Sequence, residues 1–290
     1  MPPSLDYLLI GHVCQDVVPS EVESPFTPGY TFGGTATYSA RTAKALGLRV
    51  AVVTSASADF AMHAALPGIE TVRVPSAETT TFENNYVDGQ RIQTLHAIAE
   101  TLTIASIPVE WRQTSVVHLA PIAREVAVNL IAEFPGAFIG VTPQGWLRQW
   151  DDHGRVHPRP WSEAHAVLPR LDAIVLSEED VGNDWKLLRD WANYAPLMVV
   201  TQGSRGATMF IGGEPHHVPT QPMREADPTG AGDIFAAVFF AYLQRTRDPH
   251  EAARVATCVA ARSVMRRGLD SVPTPDEAAQ CKSHISNFKL

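Results

Sequence analysis

Gly230-Ala231-Gly232-Asp233 stands directly before an apolar run, Ile234 to Leu243, whose spacing predicts a helix. Residues this small let a ligand approach the free backbone N–H groups of a helix N-terminus. Those groups and the positive end of the helix dipole suit an anion such as phosphate. Asp233 falls in the first turn. A carboxylate there can take the proton of a hydroxyl that meets a phosphate held on the same turn, which is what a general base must do in phosphoryl transfer. Taken alone, the same four residues also read as a tight turn whose aspartate caps the helix.

Other candidate groups are spread along the chain. Asp16 follows the first apolar run, and Gly33-Gly34 opens a helical segment. Asn84, Tyr86, Arg91 and Gln93 alternate along an extended stretch, so one face of it can present polar groups. Gln144 and Arg148 are spaced so that one helical turn would bring them together. Ser177-Glu178-Glu179-Asp180 reads as a helix N-cap followed by acidic first-turn residues.

The elements that must position these groups follow from periodicity and punctuation. Strands are expected at 7–10, 50–54, 71–74, 116–119, 138–142, 173–176 and 197–201. Helices are expected at 35–46, 124–134, 179–192, 232–245, 249–266 and 273–288. Residues 208–211 and 216–218 read as an antiparallel pair joined through Gly212-Gly213. Val87-Asp88-Gly89-Gln90 is a hairpin signal between two extended runs. Both runs are polar on their two faces, so this hairpin is expected to project from the body. The alternation of strand and helix predicts a three-layer α/β/α fold with a mainly parallel sheet, as one domain spanning 1–290, with ligands at the C-terminal ends of the strands.

Composition narrows the class. The chain has 290 residues, of which 45% are apolar and 19% charged, with a formal net charge of −8. The acidic excess disfavours nucleic acid and anionic membrane as partners. No stretch approaches the roughly 18 uncharged apolar residues of a membrane span, and the N-terminus lacks the basic n-region of an export signal. Cys14, Cys258 and Cys281 form no CxxC pair, which predicts reduced thiols and a cytoplasmic setting.

Asp227, Thr229 and Gly230–Asp233 together resemble the C-terminal signature of the ribokinase-like (PfkB) family of carbohydrate and nucleoside kinases. The resemblance implies that Asp233 is the catalytic base and that Gly230, Ala231 and Gly232 form the anion hole. Further pieces fall in the family's order. Gly11 with Asp16 resembles the first sugar-contacting element, Gly33-Gly34 the N-terminal signature, and Thr79–His96 the lid hairpin. Thr201-Gln202-Gly203-Ser204-Arg205-Gly206 resembles the turn beside the ATP phosphates, and Ala260-Ala261 through Gly268 the wall of the adenine pocket. By the same resemblance Ser177 and Thr229 join Thr201, Gly203, Gly206, Gly230, Gly232, Ala260 and Gly268 on the ATP side. Asp180 and Glu179 would hold Mg²⁺ through water, and Asp227 a monovalent cation such as K⁺.

The chain departs from the family in carrying Ser-x-x-Asp at 177–180 where Asn-x-x-Glu is usual. Its first lid segment, Val17 to Phe32, is short and Pro-rich, so a one-piece hairpin lid is expected over the two segments near 17–32 and 79–98. Gly33–Tyr38 paired with Pro143–Arg148 looks similar to inositol-kinase-like members. Asp16, Gly33, Gly34, Asn84, Gln144, Arg148 and Asp233 would then face a polyhydroxylated ring. The implied activity is ATP-dependent phosphorylation of a cyclic polyol or sugar by a monomer or homodimer. A nucleoside kinase of the same fold and a non-catalytic sugar or nucleotide sensor are the alternatives.

Overall fold

The structure is a computed structural model that describes residues 5–17, 29–87 and 90–286. In chain order it forms β1 (Tyr7–Ile10), β2 (Cys14–Val17), β3 (Tyr30–Gly33), α1 (Thr35–Ala45), β4 (Val50–Ala56), α2 (Met62–Ala65), β5 (Glu70–Pro75), β6 (Thr81–Val87) and β7 (Gln90–Ala97). There follow β8 (Val116–Leu119), β9 (Phe138–Val141), β10 (Arg148–Trp150), β11 (Val156–Pro158), α3 (Ala164–Val167), β12 (Ala173–Ser177) and α4 (Trp185–Ala192). The chain ends with β13 (Leu197–Thr201), β14 (Ala207–Ile211), β15 (Glu214–Val218), α5 (Ala231–Thr246), α6 (Pro249–Ser263) and α7 (Pro275–Ser286).

A nine-stranded sheet runs β15-β14-β13-β12-β9-β8-β1-β4-β5. All its pairings are parallel except β13–β14 and β14–β15. From β1 the chain places β4 and β5 on one side and β8, β9, β12 and β13 on the other. The switch point therefore opens between the C-terminal ends of β1 and β8, where ligands of such sheets bind. Tyr7 and Leu9 pack into the core on one face of β1, and Leu8 and Ile10 into the core on the other. Burial on both faces is why the strand reads as an unbroken apolar run.

Two expected helices are corrected. Residues 124–134 form only a single 3₁₀ turn, Val128–Ala132. Glu125 is buried, and its carboxylate accepts the backbone N–H groups of His12, Ile122 and Ala123 at 2.7–3.1 Å. Arg124 takes φ 62°, and the backbone of Glu125 and Ala127 bonds to Leu102. The groups a helix would use are thus engaged elsewhere. The second helix, 179–192, is interrupted. Glu178–Val181 makes one 3₁₀ turn, Gly182 and Asn183 take φ 63° and 62°, and α4 restarts with Asp184 as its N-cap. The β10–β11 hairpin was not anticipated from the sequence.

The expectation of a one-piece hairpin lid is also corrected. β3-β2-β6-β7 form a four-stranded sheet, with β2 antiparallel to β3 and parallel to β6. The pairing strands lie mostly outside the Pro-rich stretch, of which 18–28 falls beyond the described residues together with the Asp88-Gly89 turn. Nor is the hairpin polar on both sides. Phe82 and Leu95 are buried with Cys14, Ile122 and Ala123 in a small core between lid and body.

Cys258 of α6 and Cys281 of α7 are joined by a disulfide, in place of the expected free thiols; Cys14 is free and buried. Their 23-residue separation carries no motif, and only the packing of α6 on α7 brings them together. No helix among the described residues is long and apolar enough to cross a membrane.

His118, on β8, is fully buried between the Tyr7 hydroxyl and Thr142 Oγ1, each 2.9 Å away. Burial lowers its pKa to about 3. Between that value and an unfolded pKa near 6.5, the unfolded chain binds a proton that the folded chain refuses, so stability falls as pH falls through this window. The slope from this group approaches about 1.4 kcal/mol per pH unit. Urea midpoints measured from pH 7 to pH 4 should decline accordingly, and less steeply in His118→Asn; equal slopes would remove His118 as the cause.

Candidate active site

α5 begins at a turn built for close approach. Gly230 is its N-cap at φ 80°, the Ala231 N–H donates to Pro228 O at 3.1 Å, and the Ile234 N–H donates to Gly230 O at 2.8 Å. A Cβ on Gly230 would lie 2.3–2.7 Å from ring atoms of Tyr38, so the α1 tyrosine packs directly on this turn. Ser39 Oγ donates to the backbone carbonyl of Asp233 at 2.9 Å and ties α1 to α5 again. Gly232 faces open space: a Cβ there would have no neighbour within 4 Å. Asp227 holds the approach to the turn. Its Oδ1 accepts the Thr229 N–H at 2.9 Å and its Oδ2 the Gly268 N–H at 3.1 Å. The two loops expected on the donor side are therefore latched by one carboxylate.

Across α1 sits the second carboxylate. Asp16, on β2, is so close to Gly33 that a Cβ there would be 1.9 Å from Asp16 Oδ2. A Cβ on Gly34, at φ 85°, would be 2.8 Å from His12 O. Asn84 Nδ2 donates to Asp16 Oδ1 at 3.5 Å, and Gln93 Nε2 donates to Asn84 Oδ1 at 2.9 Å, a polar relay along the lid. The buried Cys14 thiol is pushed up first by burial, then by Asp16 and Asp233, with Arg148 acting the other way. Burial also raises the Tyr38 phenol, followed by Asp16, Asp227 and Asp233. Asp16, Asp233, Tyr38, Cys14 and Arg148 thus share one electrostatic neighbourhood.

Gln144 and Arg148 diverge. Residues 144–147 form a 3₁₀ turn, in which positions four apart lie about a third of a turn out of line. Gln144 Nε2 donates to Asp180 Oδ1 at 3.1 Å, so it faces the β12 end. Arg148 Nη1 donates to Ile122 O at 3.2 Å, and its guanidinium lies 5.6 Å over the Phe82 ring. Ser177 and Asp180 make a capping box: Ser177 Oγ accepts the Glu179 N–H, and Asp180 Oδ2 accepts the Ser177 N–H at 2.9 Å. Glu179 is exposed. At the end of β13, Thr201 Oγ1 donates to Leu176 O at 3.4 Å, and Gly203 and Gly206 take φ 56° and 87°. A Cβ on Gly206 would meet Val218 O at 2.2 Å, which fixes glycine in this turn. Ala260 is half-buried on α6 and packs on the core; Gly268 is half-buried at φ 51°.

Residues 172–277, from β12 into α7, match the pfkB family carbohydrate kinase pattern. The matched stretch contains the Asp227–Asp233 turn, Ser177–Asp180 and Thr201–Gly206. The chain is 26% identical to a cytidine kinase of Thermococcus kodakarensis over 268 residues, 87% of this chain and 93% of that one. It is 28% identical to the bifunctional protein HldE of Caulobacter sp. strain K31 over 263 residues, 82% of this chain, and spans 52% of that protein's length. Its fold matches a pyrophosphate-dependent myo-inositol-1 kinase converted into a myo-inositol-3 kinase, with TM-score 0.79 and 22% identity over 97% of this chain and 100% of that one.

Three features of the site were not expected from the sequence. Glu178, not its neighbours, is the buried acid of the Ser177 turn; it accepts from Trp185 Nε1 at 3.1 Å and pairs with Arg205 of the β13 turn. Glu125 and His12 brace the switch point, the histidine through Thr80 Oγ1 at 2.7 Å and Glu100 O at 2.8 Å. Tyr38 packs on the Gly230 turn, and its phenol responds to both aspartates. A tyrosine four residues after a double glycine, on the buried face of a helix, was the available signal for the last of these. The other two depend on partners distant in sequence.

Proposed function

We propose that this protein is an ATP-dependent kinase for a hydroxyl of a cyclic polyol or sugar, with Asp233 as general base. The observation that carries this reading is the pairing of an aspartate in the first turn of α5, behind Gly230-Ala231-Gly232, with Asp16 across Tyr38. Asp16 and Asn84 would accept and donate to vicinal hydroxyls of the acceptor. Asp233 would take the proton of the attacked hydroxyl as its oxygen bonds to the γ-phosphorus. The bond from that phosphorus to the bridging oxygen breaks, and ADP leaves. Gly232 and the first-turn amides of α5 would face the phosphoryl oxygens as they gather charge.

The Ser177–Asp180 end suits a hydrated Mg²⁺. Glu179 is exposed and would reach the ion's waters, while Asp180, half-buried at the end of β12, already accepts from Gln144 and the Ser177 N–H and would meet them only through its remaining lone pairs. Bound there, Mg²⁺ would neutralise charge on the ATP phosphates. Asp227 has both oxygens on backbone amides, which favours a structural latch over a direct K⁺ ligand.

Gln144 lies toward Asp180, which removes one of the groups that favoured an inositol-like ring, while Asp16, Asn84 and Arg148 remain on the acceptor side. The likeness to a cytidine kinase over most of the chain favours nucleosides as the second class to test. Product formation by the pure protein should be followed over inositols, hexoses and nucleosides, with ATP and pyrophosphate each offered as donor. Phosphorylation of a polyol or sugar with ATP is expected. Preferential turnover of nucleosides would replace the acceptor assignment, and ligand binding without turnover would favour a sensor.

A further inference from the structure

The Cys258–Cys281 bridge is one of three links between α6 with its following turn and α7. Arg262 Nη1 donates to Gln280 Oε1 at 3.0 Å. Arg266 Nη1 and Nη2 donate to the two carboxylate oxygens of Glu277 at 2.7 and 3.1 Å. Positions 258, 262 and 266 are spaced by four along α6 and the turn after it, while their partners descend through 281, 280 and 277. The links therefore form an antiparallel ladder whose last rung reaches the loop after α6. Arg266 Nη2 also donates to Ser271 O at 3.4 Å, within that loop.

The loop in turn holds the Asp227–Asp233 turn. Val264 O accepts the N–H groups of Ala226 and Asp227 at 2.8 and 3.1 Å, and the Gly268 N–H donates to Asp227 Oδ2 at 3.1 Å. Asp227 Oδ1 accepts the Thr229 N–H, next to Gly230. A continuous series of bonds thus runs from the bridge to the start of α5, along the stretch 260–268 read above as the wall of the adenine pocket.

α7 has little else to keep it in place. Between Pro275 and Ser283 only Ala278 and Cys281 are buried. Gln280 is exposed, and the Arg266 and Glu277 side chains are 31% and 27% exposed, so the polar rungs are weak by themselves. The covalent rung is the strong one. Chains that depend on disulfides for folding are those too small to build a core, whereas two large apolar clusters cover the faces of the sheet here. Cys258 is half-buried and Cys281 fully buried, so a reagent reaches the bridge from the Cys258 side.

We propose that the Cys258–Cys281 bridge is a thiol-exchange site: a dithiol reductant opens it, α7 loosens, and the 264–271 loop gives way and weakens ATP binding. This deepens the kinase reading above and rests on it for the ligand. One thiolate of the dithiol attacks the Cys258 sulfur and the S–S bond breaks, with Cys281 leaving as a thiolate that takes up the proton the attacking thiol released. The second thiol of the reagent then displaces Cys258 from the mixed disulfide, and its proton passes to Cys258. Both cysteines end reduced and the dithiol ends as its own disulfide.

The test uses the full chain, with dithiothreitol as the dithiol and ATP as the ligand. Hydrogen–deuterium exchange and calorimetric ATP affinity are measured on the oxidised protein, on the reduced protein and after reoxidation. Reduction should speed exchange across 264–283 but not in β1 or β8, and should weaken ATP binding by about 5- to 150-fold, the usual range of coupling between two sites. Reoxidation should restore both. Cys258→Ala/Cys281→Ala should match the reduced protein and ignore dithiothreitol, which removes Cys14 as the responding sulfur. In Arg266→Gln, which lacks the rung beside the loop, ATP affinity should respond less to reduction. Three free thiols in the denatured protein without reductant would overturn the inference, as would unchanged exchange of 264–271 on reduction. Equal, measurable ATP affinities in the two states would overturn it too. If ATP binds neither state, the kinase reading fails instead, and exchange of 264–271 decides alone whether the bridge controls the loop.

Discussion

Asp233→Asn lowers kcat by about 10²- to 10⁴-fold, the usual scale for loss of a general base, while leaving ATP affinity near its original value. Asparagine preserves the shape of the side chain and the helix start but cannot take the hydroxyl proton. The Ser39 bond is made to the backbone carbonyl of residue 233, so it survives the substitution. Loss of a carboxylate from the first turn of α5 costs about 0.3–1 kcal/mol of stability through the helix dipole, too little to unfold the chain. Single-turnover rates and ATP titrations on the same preparation separate these effects. Turnover equal to that of the parent would remove Asp233 from the chemistry.

Gly230→Ala should be the most damaging single methyl in the site. The left-handed φ of 80° costs a non-glycine residue about 1–2 kcal/mol. The new Cβ would also stand 2.3–2.7 Å from Tyr38, whose ring is nearly fully buried; overpacking of this kind costs about 1–3 kcal/mol. A total loss of about 2–5 kcal/mol follows, with a fall in kcat because the turn can relax only by shifting the amides ahead of Asp233. Gly232→Ala provides the contrast. Its Cβ meets no protein atom within 4 Å, so stability should hold and turnover alone should suffer. Adding Tyr38→Leu to Gly230→Ala relieves the packing part and leaves the backbone part, so denaturation midpoints of the four-protein cycle should show a favourable coupling. Additive losses would mean that Tyr38 yields without resistance.

Much of this architecture was legible from residue types. β1, β8, β12 and β13 are apolar runs because both faces of the sheet are covered, and α5 follows small residues that leave its N-terminus open. What escaped depended on partners remote in the chain. The lid gained two strands because β2 pairs with β6, more than sixty residues away, and local pattern carries no sign of that. The helix expected at 124–134 does not form, because Glu125 is turned inward to hold three amides, including that of His12. Gln144 was placed with Arg148 by α-helical spacing, and the 3₁₀ geometry of that turn sends it to Asp180 instead. Ser177 is the N-cap expected of this turn, which closes as a capping box with Asp180, yet its buried acid is Glu178, identified only by Arg205 and Trp185.

The α6–α7 bridge also changes what an alkylating reagent can count. With Cys258 and Cys281 bonded, the chain presents one titratable sulfur, Cys14, when denatured without reductant, and three after reduction. In the folded protein that sulfur lies under the lid against Asp16, buried and held as the unreactive thiol. Its modification must wait for the lid strands to part from the body. The single free thiol would therefore report on any separation of these strands from the body, and a ligand that holds them together would slow its modification.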